Sequence, residues 1–358
     1  MRILLVLKRF EFGGAENHVC DLANALSELN HDVFLVTANG RQVSRLNLNV
    51  KFIPCRFRDI ILPFNVIQLY WIVKKYNIDI IHAHQRLSIL ASCILRKFVD
   101  IPVVVTVHGR TRLDLKSKFT QSTSDKIIFV SNHVLNVSAC YHEIKEKSTV
   151  IPNGVEVISL VKGERPYSIT YVSRIDRNHS KVILVIIQKV IPMLIKKFPD
   201  ITFNLIGEGN CLNLIRKESL RINNEYGKEI CKVFGYQTDV KEFFLNSSLI
   251  LGVGRVSLEA LACGVPVLSI NQKRLGSIIS TANYADYKEN NFVAIGNEPP
   301  NADEIYTILN DFFNEKEKYC TEAKEIQGLV KHDFSLKNIA CQIVNLYAEA
   351  INYNRKSS

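Results

Sequence analysis

The chain has 358 residues, 45 Lys and Arg against 35 Asp and Glu, and a net charge of +10. Its 47% apolar and 22% charged residues exclude a disordered chain and a membrane bundle, and the length suffices for two domains of ordinary size. The charge is uneven: residues 1–150 hold 20 basic against 12 acidic side chains, or +8, and the remainder holds +2. A basic first half attracts anionic surfaces such as lipid head groups. Nucleic acid is not expected, because no helix-turn-helix, zinc-finger or aromatic RNA-platform signature is present. Nine cysteines without any Cys-x-x-Cys pair read as reduced thiols, and so as a cytoplasmic chain without a zinc site.

In chain order, MRILLVLKRF reads as a first buried strand rather than a signal peptide, since Lys8 and Arg9 follow a short apolar run. An amphipathic helix carrying Val19, Leu22, Ala23, Leu26 and Leu29 comes next. Strands are predicted at DVFLVT, KFIPC, DIIHAH, PVVVTVH, KIIFVS and STVIPN. The nearest candidate for a spanning segment, Ile60 to Val73, is too short to cross a bilayer and is broken by Pro63, Asn65 and Gln68. A polar segment, Ser159 to Ser168, reads as a linker. A second series follows: SITYVSRI, ITFNLIGEGN, CKVFGY, SSLILGV, PVLSI and NFVAIG. Strands alternating with amphipathic segments predict two doubly wound parallel sheets, whose ligands sit beyond the C-terminal strand ends.

The loops at those ends carry the candidate chemistry. Gly13 and Gly14 follow the first strand and open a helix. His82 and His84 share a strand face; with no carboxylate or cysteine beside them to complete a ligand set, they read as satisfied imidazoles rather than a metal site. His108, Arg174 and Gly207 also stand at strand ends. The richest stretch is LGVGRVSLEALACGVPVLSI, Leu251 to Ile270. Gly252 and Gly254 allow close backbone approach, helix-opening N–H groups suit phosphate oxygens, and Glu259 is placed for ribose hydroxyls. Leu258, Leu261 and Ala262 can face a core, and Gly264 with Pro266 ends the helix.

GGAE, IIHAH, VVVTVHG, KIIFVSN, VIPNGVE, YVSRID, FNLIGEGN, VFGYQTDV and SLEALACGVPVLS occur in an order that resembles the retaining, nucleotide-sugar-dependent glycosyltransferases of family 4. The resemblance covers most of the chain. It implies the GT-B architecture, two Rossmann-like domains facing across a cleft: an acceptor-binding domain at 1–158, the linker at 159–168, a nucleotide-sugar-binding domain at 169–334, and a C-terminal helix within 335–358 that crosses back to the first domain. It implies catalytic roles for His108, Arg174 and Lys181. A nucleotide-sugar site would comprise Gly13, Gly14, Gly207, Gly254, Arg255, Ser257, Leu258 and Glu259. No cofactor and no metal are implied, since fixed cations take the metal's part on the leaving diphosphate. The implied partners are a nucleotide sugar, a glycan or lipid-linked cell-envelope acceptor, and an anionic membrane touched peripherally from the cytoplasmic side.

Two departures stand out. The family carries a further glutamate before Glu259, and Leu251 occupies its place; Arg255 adds an anion contact that the usual motif lacks. The family's lysine after Arg174 is displaced to Lys181, with His179 in the expected position. The missing glutamate keeps a catalytically silent GT-B binding partner open as an alternative, alongside a sugar-nucleotide epimerase.

Overall fold

In the computed structural model the described residues are 1–11, 13–112, 114–138, 142–158, 167–296 and 298–357. Most of the expected linker, 159–166, lies outside them; Ser168 is already the first residue of a strand. The chain divides into two compact units, Met1–Val155 with Phe334–Ser358, and Glu156–Asp333.

Unit 1 is built from β1 (Arg2–Val6), α1 (Gly14–Glu28), β2 (Asp32–Thr37), β3 (Lys51–Pro54), α2 (Leu62–Tyr76), β4 (Ile80–His84), α3 (Arg86–Arg96), β5 (Val103–Val107), α4 (Leu115–Thr123), β6 (Lys126–Phe129), α5 (Asn132–Val137) and β7 (Ser148–Val150). Its seven strands are ordered β3-β2-β1-β4-β5-β6-β7 and all pair in parallel. Alternation along β1 sends Ile3 and Leu5 to one face and Leu4 and Val6 to the other, so both faces are core.

Unit 2 contains β8 (Ser168–Val172), α6 (His179–Val185), which passes through a π turn at Ile186–Val190 into α7 (Ile191–Ile195), β9 (Thr202–Ile206), α8 (Leu212–Tyr226) and β10 (Cys231–Gly235). It continues with α9 (Lys241–Leu245), β11 (Leu249–Gly252), α10 (Arg255–Ala262), β12 (Val267–Ile270), β13 (Leu275–Ile278), α11 (Tyr284–Glu289), α12 (Ala302–Asn314) and α13 (Lys316–Phe334). The sheet order is β10-β9-β8-β11-β12-β13, parallel except for the antiparallel β13. The last helix, α14 (Leu336–Ser357), packs in unit 1, where Ile339, Ile343 and Tyr347 join the core under α1. Val155 receives the returning chain through Val155 N–H to Phe334 O (2.8 Å) and Leu336 N–H to Val155 O (3.0 Å).

The sequence expectation fails at NFVAIG. Residues 291–296 form no strand, and β13 takes the sheet edge instead. Asn291 and Phe292 both lie at φ +54°, a left-handed pair that cannot propagate an extended ladder. Phe292 is nonetheless 1% exposed, so this apolar run serves burial without pairing. Among the described residues no helix is long and apolar enough to cross a membrane.

Candidate functional site

In unit 2 the strand order reverses between β8 and β11, and the open ends of these neighbours form the crevice where doubly wound sheets take ligands. Arg174 leaves β8 between two backbone bonds that fix its loop, Ser173 N–H to Ile206 O (3.1 Å) and Ile175 N–H to Glu208 O (3.0 Å). This close approach requires Gly207: its φ is +151°, and a Cβ there would collide with the Ser173 carbonyl oxygen. The glycine therefore positions the loop that carries the arginine.

Gly254, at φ +62°, precedes α10 and gives it no side-chain cap; its own N–H donates to Phe292 O at 2.7 Å. The first intrahelical bond there is Leu258 N–H to Gly254 O (3.1 Å), so helix geometry leaves the amides of Arg255, Val256 and Ser257 directed outward. Ser257 is fully buried and its hydroxyl has no hydrogen-bond partner among the described residues. Such an orphan group is suited to a ligand oxygen. Leu258, 4% exposed, packs in the core and offers only its backbone.

Arg255 and Glu259 pair with each other across one turn, Nε to Oε1 at 2.6 Å, with their side chains only 9% and 18% exposed. The guanidinium expected as an extra anion contact thus braces the carboxylate expected for ribose. Glu259 keeps further lone pairs for hydroxyl donors. At α6, Asp176 accepts N–H bonds from His179 (3.0 Å) and Asn178 (2.9 Å), and contacts His179 Nδ1 at 2.8 Å. The backbone N–H of His179, followed by its ring, holds the Asp176 carboxyl down at about 2. His179 is therefore engaged in capping α6. Arg174 and Lys181 are exposed and, among the described residues, neither forms an ion pair.

In unit 1 the order reverses between β1 and β4. Gly13 opens α1 without a side-chain cap, and the space where Gly14 would carry a Cβ is empty to 4 Å. Glu16, one turn in, is 5% exposed and accepts from Gln85 Nε2 at 2.9 Å. Behind this turn four imidazoles converge. The His82 and His84 centroids are 4.2 Å apart, and His18 lies edge-on to His84 and His108 at 5.8 and 5.3 Å. His84 Nδ1 meets His108 Nε2 at 3.1 Å. His82 is satisfied at both nitrogens, by Tyr347 Oη (2.5 Å) and Thr106 Oγ1 (2.7 Å). Burial, reinforced by the neighbouring rings, pushes His82 down to about 3 and His84 well below the usual imidazole range. Both are neutral at pH 7, each with one donor and one acceptor nitrogen. Among the described residues no three His, Cys, Asp or Glu side chains are placed to hold a metal ion.

Beside His108 opens a cavity of about 320 Å³. Ile89, Val105, Ile127 and Phe129 supply apolar wall; Arg86, Arg110 and Arg112 supply positive charge. Arg86 pairs with Asp114, while Arg110 and Arg112 are exposed and have no acidic partner among the described residues.

The two units match two known sequence families. The family model for Glycosyltransferase Family 4 matches residues 12–157, and that for Glycosyl transferases group 1 matches residues 166–311. The chain belongs to the group 1 glycosyltransferases. An uncharacterised glycosyltransferase of Methanocaldococcus jannaschii is 26% identical over 290 residues, 75% of this chain and 78% of that one. Phosphatidyl-myo-inositol mannosyltransferase of Propionibacterium freudenreichii is 25% identical over 300 residues, 75% and 76% of the two chains. The Anabaena HepE structure in complex with UDP-glucose superposes with a TM-score of 0.72 at 19% identity, covering 98% of this chain and all of that one. The fold is GT-B. Leu251, which stands where the resemblance implies a glutamate, is fully buried in β11, pairs with Tyr171 and Leu268, and sits in the unit 2 core. No side chain from this position reaches the ligand edge.

His18, Gln85 and Asp176 were not singled out by sequence reasoning. His18 gave a faint signal, one helical turn after Gly14. Gln85, at φ +62° immediately after β4, and the Asp176 cap gave none.

Proposed function

We propose that the chain transfers a sugar, with retention of configuration and without a metal, from a nucleotide-diphosphate sugar to a lipid-linked or other cell-envelope glycan acceptor at an anionic membrane face. One observation carries this reading: at the unit 2 switch point a glycine-braced Arg174 follows β8 and the outward amides of α10 follow the neighbouring β11, with the unpaired Lys181 on α6. As the glycosidic C–O bond breaks, negative charge grows on the departing diphosphate, and these fixed donors stabilise it. Glu259, held by Arg255, accepts from the ribose hydroxyls. On the unit 1 side, His108 offers a hydrogen bond to a sugar hydroxyl, and the cavity beside it receives the acceptor. Its arginines favour an acceptor bearing phosphate, in keeping with the lipid named for the Propionibacterium relative.

The test is donor turnover by the full chain. Incubation with UDP- and GDP-sugars in the presence of EDTA is expected to release nucleoside diphosphate from one of them, with the α-anomer retained in the sugar product. Inversion, or a strict need for added Mg²⁺, would overturn the mechanism. The buried Leu251 favours a second reading, a silent GT-B partner protein; nucleotide binding without any release of diphosphate, with acceptor lipids supplied, would select it.

A further inference from the structure

The outer face of α2 carries an apolar stripe that no described residue of unit 1 covers. Phe64, Ile67 and Trp71 are 71%, 54% and 65% exposed, and their 3-4 spacing places them in one line along the helix, which Ile60, 92% exposed, precedes in a 3-10 turn. The opposite face, with Val66, Leu69, Ile72 and Val73, is already spent on the core. Scattered exposed apolar residues need no explanation, but a continuous line including the chain's one tryptophan does.

Charge says what covers it. Residues 51–76 hold five basic side chains, Lys51, Arg56, Arg58, Lys74 and Lys75, against Asp59 alone. Asp59 is itself met by Lys116 Nζ at 3.2 Å. Lys116 follows Leu115, which is 86% exposed at the start of α4. Asp114, the cap of α4, pairs with Arg86 on the rim of the cavity beside His108. The turn that leads into α2 and the rim of that cavity are therefore joined through the start of α4. A second copy stacked on the stripe would set two basic rims against each other, which disfavours a self-paired dimer.

We propose that this face docks unit 1 on an anionic bilayer, with α2 lying in the interfacial plane, Phe64, Ile67 and Trp71 in the acyl boundary, and Lys74 and Lys75 reaching the head groups. Long basic side chains cover apolar surface while keeping their charge among polar groups, and a helix of this pattern lies on membranes without crossing them. The docking presents the cavity to the lipid layer, and to that extent it rests on the lipid-borne acceptor proposed above.

Trp71 is a built-in reporter. Full-length chain is titrated with phosphatidylcholine vesicles, with and without phosphatidylglycerol, while emission wavelength and acrylamide quenching are followed. A blue shift and loss of quenching with the anionic vesicles, weakened by salt, are expected. F64S/I67S, checked for folding by circular dichroism, should bind these vesicles roughly a hundredfold more weakly. Vesicle binding that leaves Trp71 emission and quenching unchanged overturns the proposal, as does a folded double variant that binds like the parent. A concentration-dependent dimer in ultracentrifugation, abolished by F64S/I67S and unaffected by lipid, assigns the face to a second copy instead. UDP and GDP titrations on the same samples separate the two readings. Absent nucleotide binding removes the transferase reading and leaves the vesicle result standing, whereas intact nucleotide binding without vesicle docking removes only the docking.

Discussion

The two units solve one topological problem with opposite chemistry. Each places its ligand edge where a parallel sheet reverses strand order, β1 against β4 in unit 1 and β8 against β11 in unit 2. Unit 1 places there His82 and His84, buried and neutral, the first joined to Thr106 and Tyr347 and the second to His108. Unit 2 fills it with glycines, helix amides and exposed cations. A low-dielectric pocket of neutral donors suits hydroxyl groups, while an open crevice of fixed positive groups suits a diphosphate. Shared topology thus marks where the candidate site of each unit lies, and only the side chains say what it suits.

The contrast predicts which residues govern rate and which govern stability. Arg174→Ala should lose about 100-fold in turnover while donor affinity changes far less, because its charge is matched to the transition state. Arg174→Lys should recover only part, lacking the planar fork. Near-normal turnover in Arg174→Ala would shift the role to Lys181.

In unit 1 the largest effects should appear as stability. Tyr347→Phe leaves a fully buried His82 nitrogen unsatisfied and should cost about 1–3 kcal/mol in a urea titration. Because His82 titrates at about 3 in the folded chain against 6.5 unfolded, and His84 shifts the same way, the unfolded chain binds more protons below pH 6.5. Stability present above that pH is therefore lost as pH falls from 6.5 toward 3, at up to about 1.4 kcal/mol per pH unit for each histidine. His82→Gln should flatten this slope; an unchanged slope would show that other groups set it.

Smaller changes are expected at the unit 2 braces. Glu259→Gln should weaken nucleotide binding about tenfold by calorimetry, since a charge-assisted bond to ribose becomes a neutral one. Lys181→Ala should weaken diphosphate binding several-fold, about 1 kcal/mol for an exposed cation. His179→Ala should leave diphosphate affinity unaltered, because that ring belongs to the Asp176 cap.

Much of this was legible in the sequence. Alternating β-branched runs gave both parallel sheets, and glycines at strand ends marked both switch points. The strand expected at NFVAIG fails because consecutive left-handed residues at Asn291 and Phe292 are invisible to hydropathy. The Arg255–Glu259 pair was present as a one-turn spacing, yet each residue was assigned to the ligand instead of to its neighbour. The stripe on α2 was hidden because Ile60 to Val73 is apolar on both helix faces, and only packing shows which residues the core uses. The histidine cluster draws on α1, β4 and the end of β5, elements far apart in sequence that pattern reading cannot bring together.

The central claim, that the unit 2 switch point holds the nucleotide diphosphate, is tested most directly by amide hydrogen exchange on the full chain with saturating UDP or GDP. Slowed exchange in residues 173–181 and 252–259 with one of the two nucleotides, and unchanged exchange in the α2 segment, is the expected result. Exchange unaltered in both unit 2 segments with either nucleotide, or slowed only in unit 1, would contradict it.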